Sequence, residues 1–195
     1  MTAAAARSRR LACVFACACT WAVAGAVAAG PVEPRLTIRD THDHYYVSAG
    51  SAAELRERMK IGRGKWAHAR GLTRGRVVVT RSLTQEMDRC IINSVAIEVE
   101  ITTTLPEWDP SARMPPELRQ RWETFRASIV RHEDRHRENL TEAAFELRDG
   151  VAAILPRSSC MKVEAQLKRI VARADMKRRL ADELLDRTGP APGRL

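Results

Sequence analysis

Residues 131–140, RHEDRHRENL, set His132, Glu133 and His136 in the order H-E-x-x-H. On a helix, imidazoles four positions apart stand one turn apart on one face, where both can ligate a single Zn²⁺ at about 2.0 to 2.1 Å. The glutamate after the first histidine is then directed at a water activated by that ion. Zinc lowers the pKa of such a water towards about 7, so that Glu133 can take its proton as general base and later return it to a leaving amine. This is the chemistry of peptide-bond hydrolysis.

A helix must carry the motif, and the surrounding sequence supplies one. After the prolines of PEWDPSARMPP nothing interrupts the chain from Glu117 to about Ile154, so one long helix is expected there. Leu118, Trp122, Phe125, Ile129, Leu140, Ala143, Leu147 and Val151 mark its apolar stripe, and His132 and His136 fall in the gap between Ile129 and Leu140. A merely solvated charged face has no reason to put its histidines on the buried seam, where unpaired imidazoles are costly. A second helix is expected from about Ser159 to Leu185, with Val163, Leu167, Ile170, Val171 and Ala174 as its core positions. The short loop between the two implies an antiparallel hairpin.

Catalytic zinc takes three protein ligands and a water. An antiparallel hairpin brings Asp175, Asp182, Glu183 and Asp186 within range of the two histidines as candidates for the third. His42 and His44, alternate residues of a strand, could chelate but read more simply as a polar strand end. His68 is expected in solvent, and Trp66, Trp108 and Trp122 are expected to pack rather than bind.

The N-terminal half has a different character. RLTIRDTHDHYYVSAG reads as a strand ending in a turn; Ser51 and Glu54 have capping-box spacing for a short helix; Ile61 to Gly75, with four glycines, reads as an exposed loop. RVVVTRSL and CIINSVAIEVEITTTL read as further strands, the second alternating Val95, Ile97, Val99 and Ile101 with wetter residues. The expected fold is α+β: a small antiparallel β-sheet with one short helix, packed on a long antiparallel helical hairpin that carries H-E-x-x-H.

The first 29 residues place Arg7, Arg9 and Arg10 before an apolar run and end in Ala-x-Ala choices, the form of a secretory signal peptide. The run of about 15 residues is short for a membrane helix, so no stable span is expected after cleavage. The expected organisation is a signal peptide over 1–29, one domain over 30–188 and a disordered tail over 189–195, in a secreted or periplasmic protein. The 33 basic residues less those three arginines leave 30 against 24 acidic ones, a formal charge near +6. That surplus is spread out and has little aromatic interleaving, which argues against nucleic acid as a partner. Of five cysteines only Cys90 and Cys160 lie beyond the signal segment, and in an oxidising compartment they read as one disulfide.

YYVSAGSAAELRERM, the glycine-rich loop, TRGRVVVTRSL, the segment opening at Cys90, LPEW and LRQRWETFRASIVRHEDRHRENL together resemble a bacterial family of predicted secreted zinc-dependent proteases, itself named as a domain of unknown function. The resemblance covers about residues 40 to 187. Its most specific parts are Tyr46-x-x-x-Gly50 and Trp122, ten residues ahead of the motif. It implies one zinc ion on His132 and His136 and Glu133 as general base, but supplies no substrate; the motif chemistry together with the export signal leads to the expectation of protein or peptide substrates of the cell envelope. Where that family follows its last helix with His-Gly, LLDRTGPAPGRL offers Asp186 and Thr188 but no histidine. The alternative expectation is a non-catalytic envelope binding protein that zinc stabilises.

Overall fold

A computed structural model describes residues 33–59, 70–155 and 157–189. Its elements run β1 (Arg35–Val47), α1 (Ala52–Arg58), β2 (Leu72–Gln85), β3 (Cys90–Trp108), α2 (Pro116–Ala152) and α3 (Cys160–Thr188). The expected signal segment, most of the glycine-rich loop with Trp66 and His68, and the tail beyond Gly189 lie outside the described residues. Among those described, no helix is long and apolar enough to cross a membrane.

Short-range signals acted as their chemistry requires. The Glu54 amide donates to Ser51 Oγ at 3.3 Å, while the Glu54 carboxylate accepts from the Gly50 amide at 2.8 Å, one residue earlier than in the usual reciprocal box. Strand β2 starts at Leu72, so the last residues assigned to the exposed loop are ladder residues instead.

The α+β architecture is as expected, but the sheet is mixed and not antiparallel. Its order is β1-β3-β2, with β2 antiparallel to β3 and β1 parallel to β3, Ile38 opposite Val99. Residues 86–89 close β2 onto β3 as a hairpin, with a 2.8 Å bond from the Glu86 amide to the Arg89 carbonyl. Strands β1 and β3 are joined through α1 and β2, and a connection that long permits parallel pairing.

Central strand β3 carries the core. Val95, Ile97, Val99 and Ile101 are all at most 3 % exposed and pack with Leu140, Ala144, Leu147 and Val151 of α2 and Val163 and Leu167 of α3. On α2 the buried small residue is Ala144; Ala143 is only half-buried. A second cluster joins Val47, Leu55, Met59 and Leu105 to Trp122, Phe125 and Ile129. Contacts between Gly150 and Ile170 near the connection, and between His136 and Asp182 farther out, show that α2 and α3 run antiparallel. A disulfide joins Cys90 at the start of β3 to Cys160 at the start of α3, across a sequence separation of 70, and fixes the hairpin to the sheet.

Candidate metal centre

Helix α2 crosses the sheet with Ile129 and Leu140 buried against it, and between them the deepest side chain is Glu133, 5 % exposed. The histidines therefore flank the seam and do not occupy it. His132 and His136, with side chains 15 % and 14 % exposed, turn from it towards α3. The rotation per residue explains this: with Glu133 pointing at the sheet, its neighbours at −1 and +3 share the adjoining face.

On that face the two Nε2 atoms are 3.3 Å apart. Asp186 Oδ1 closes the triangle, 3.1 Å from His136 Nε2 and 3.4 Å from His132 Nε2. A tetrahedral ion with bonds of about 2.0 to 2.1 Å holds its donors about 3.3 Å from one another, so the three atoms have the spacing such an ion demands. Among the described residues this is the one group of three or more histidine, cysteine or acidic side chains with donor atoms so gathered.

Of the four acids proposed from sequence, Asp186 is the one that completes the group. Asp182, one turn earlier on α3, accepts from His136 Nδ1 at 3.0 Å, on the far side of the ring from the donor triangle. Asn139 Nδ2 donates to the same oxygen at 2.9 Å, and Arg178 donates to the other at 2.6 Å. Burial pushes the Asp182 carboxyl up, but the bonds from His136 and Asn139 and the neighbouring positive charges outweigh it and hold the group below the ordinary carboxylate range. Burial likewise opposes the charged form of His136, and the Asp182 bond, with the charges of Asp182, Asp186 and Glu133, overcomes it and raises that imidazole. Asp175 pairs with Arg178 at 2.9 Å and Arg179 at 2.6 Å, and Glu183 is exposed. Among the described residues, the buried His132 Nδ1 has no hydrogen-bond partner.

Glu133 faces the other way, to the start of β2. Its Oε2 accepts from Thr73 Oγ1 at 2.9 Å. Burial raises its carboxyl above the ordinary value, against the opposing effects of the Thr73 bond and the two histidines. The strand comes this close because residue 71 is glycine, where a Cβ would meet Glu133 Oε1 at 2.6 Å. Thr73, Gly71, Asn139 and Arg178 were not legible as site residues. Asn139, at i+3 from His136 on a helix, carried the one signal that could have been read.

The remaining candidates lie elsewhere. The His42 side chain is 47 % exposed, 3.9 Å from Asp40, and His44 Nδ1 lies 3.3 Å from Glu107. Neither joins the donor group. Trp108 and Trp122 pack edge to face at 5.8 Å, as packing residues would.

No curated protein and no solved structure matches the chain. Residues 42–189 match the profile of a family described as bacterial protein of unknown function (DUF922), a span that takes in both histidines, Glu133, Asp182 and Asp186. The chain belongs to this bacterial family of unknown function.

Proposed function

We propose that this protein is an exported zinc-dependent metallopeptidase that cleaves proteins or peptides of the cell envelope. The observation that carries the reading is the donor triangle of His132, His136 and Asp186, with edges of 3.1 to 3.4 Å, beside a buried glutamate in H-E-x-x-H register. Two imidazoles and one carboxylate are the donor set of catalytic zinc in one large class of peptidases, and they leave a fourth position free. Export is supported by the signal-like N-terminus and by a disulfide that an oxidising compartment would preserve.

When bound, zinc supplies a Lewis acid that acidifies water and polarises a carbonyl. The chain supplies the rest. Glu133 takes the proton of the attacking water and delivers it to the leaving amine, and a carboxyl raised by burial is better matched to both halves of that task than an ordinary one. Thr73 fixes its orientation. Asp182 holds the proton on His136 Nδ1 and leaves Nε2 free for the metal, the outer-shell arrangement that orients ligating histidines.

The test is cleavage of a denatured protein substrate by the purified chain without its signal segment, loaded with zinc, against Glu133→Gln. Hydrolysis lost in the variant at unchanged zinc content supports the reading. One observation favours a non-catalytic, zinc-stabilised envelope binding protein instead: Glu133 is almost fully buried and already bonded to Thr73. That alternative gains if wild type and variant are equally inert on a broad peptide mixture.

A further inference from the structure

Helix α3 uses one face for the core and one flank for the site, and a third face has no partner among the described residues. Met176, Leu180 and Leu184 are 59 %, 60 % and 54 % exposed, although each is large and apolar. At 3.6 residues per turn they share about a quarter of the circumference with Arg169, Arg173 and Arg187, a strip about 27 Å long. All three arginines are exposed, and among the described residues none has an ion-pair partner. Lys162 falls in the same sector and no acid does; Glu183 borders it.

We infer that this face docks on a bilayer surface that contains anionic phospholipid. A strip of apolar side chains bracketed by arginines is what an interfacial helix presents, with the apolar groups entering the acyl boundary and the guanidinium groups reaching phosphates. The charge argues for lipid against a second copy of the chain. A two-fold pairing of the strip would set arginine against arginine with no acid in the sector to answer it, whereas anionic headgroups neutralise all of them. The apolar centre argues against a purely polyanionic partner, which would leave Leu180 and Leu184 in water. Asp182 and Asp186 lie on another flank, turned to the histidines of α2, so docking leaves the donor triangle clear of lipid. This inference does not depend on peptidase activity.

The experiment is co-sedimentation of the mature chain with vesicles of phosphatidylcholine alone and of equal parts phosphatidylcholine and phosphatidylglycerol. Binding is expected to the mixed vesicles and not to the neutral ones. Arg169→Gln with Arg173→Gln should weaken it by about fivefold for each arginine removed. Leu180→Ser with Leu184→Ser, both exposed and so compatible with folding, should weaken it at unchanged charge and unchanged circular dichroism. Equal sedimentation with both vesicle types overturns the inference. So does binding that salt abolishes but the leucine variant leaves intact, and so does a concentration-dependent dimer that the leucine variant dissociates while neither vesicle is bound.

Discussion

Gly71 lies against Glu133 so closely that a Cβ added to the glycine would sit 2.6 Å from Oε1 of the glutamate and 2.6 Å from Ile129 Cγ2. The start of β2 therefore acts as a wall that holds the acid in place, and any side chain at residue 71 must move either the helix or the carboxylate. Gly71→Ala is expected to cost about 1 to 3 kcal/mol by overpacking. On the proposed reading it should cut hydrolysis by more than tenfold while zinc content stays near that of wild type, because the atoms nearest an added Cβ belong to Glu133 and Ile129 and not to either histidine. Thermal melts, metal analysis and peptide cleavage on one preparation check this.

Asp182 meets His136 Nδ1 and lies outside the donor triangle, so on the proposed reading it acts on a bound metal through that imidazole. Asp182→Asn keeps the shape and removes the charge that holds the imidazole tautomer, so zinc affinity should fall by about 10- to 100-fold without loss of fold. Asp186→Asn should weaken binding further, since it removes a donor itself. A competition titration with a zinc indicator dye ranks the two. The reverse order would mean that Asp182 is the ligand and Asp186 its support.

The His136–Asp182 pair gives the metal-free protein a pH signature. A histidine raised by folding contributes stability that is present below its unfolded pKa and is lost as pH rises through the raised value. A depressed aspartate contributes stability that is present above its unfolded pKa and is lost as pH falls through the lowered value. Their joint contribution is thus greatest in the mildly acidic range between the two. Zinc needs deprotonated imidazole, so the extra stability it confers should grow as pH rises. Denaturant unfolding across pH, with and without zinc, should give opposite slopes above neutrality, and His136→Ala should abolish the difference.

Removing the disulfide tests how the hairpin is held. A bond closing a 70-residue separation restricts the unfolded chain by about 4 kcal/mol in the chain-entropy treatment. Cys90→Ser with Cys160→Ser is expected to lower the denaturation midpoint markedly. Zinc binding should persist in the folded fraction, because the donor group lies at the opposite end of the hairpin from Cys160.

How much of this could be read from the sequence depended on the range of the forces involved. Helix α2 was legible because its apolar stripe repeats over many turns, and β3 because alternate residues face a core on one side. The cysteine pairing followed from there being two. The parallel partner of β1 was not legible, since strand order depends on the path of the connection and edge strand β1 is exposed along most of its length. Within the site, the motif pointed to His132, Glu133 and His136, and hairpin symmetry narrowed the third donor to four acids. Choosing Asp186 over Asp182 required knowing which ring nitrogen each carboxylate meets. Thr73 and Gly71 lie 60 or more residues from Glu133 in sequence, and no local pattern ties a strand residue to a helical one at that distance.

The most direct test is zinc stoichiometry by elemental analysis of the purified chain without residues 1–29, wild type against His136→Ala. One zinc per chain in the wild type and a large loss in the variant is the expected result. Equal, near-zero zinc in both would contradict the metal centre and every chemical step built on it.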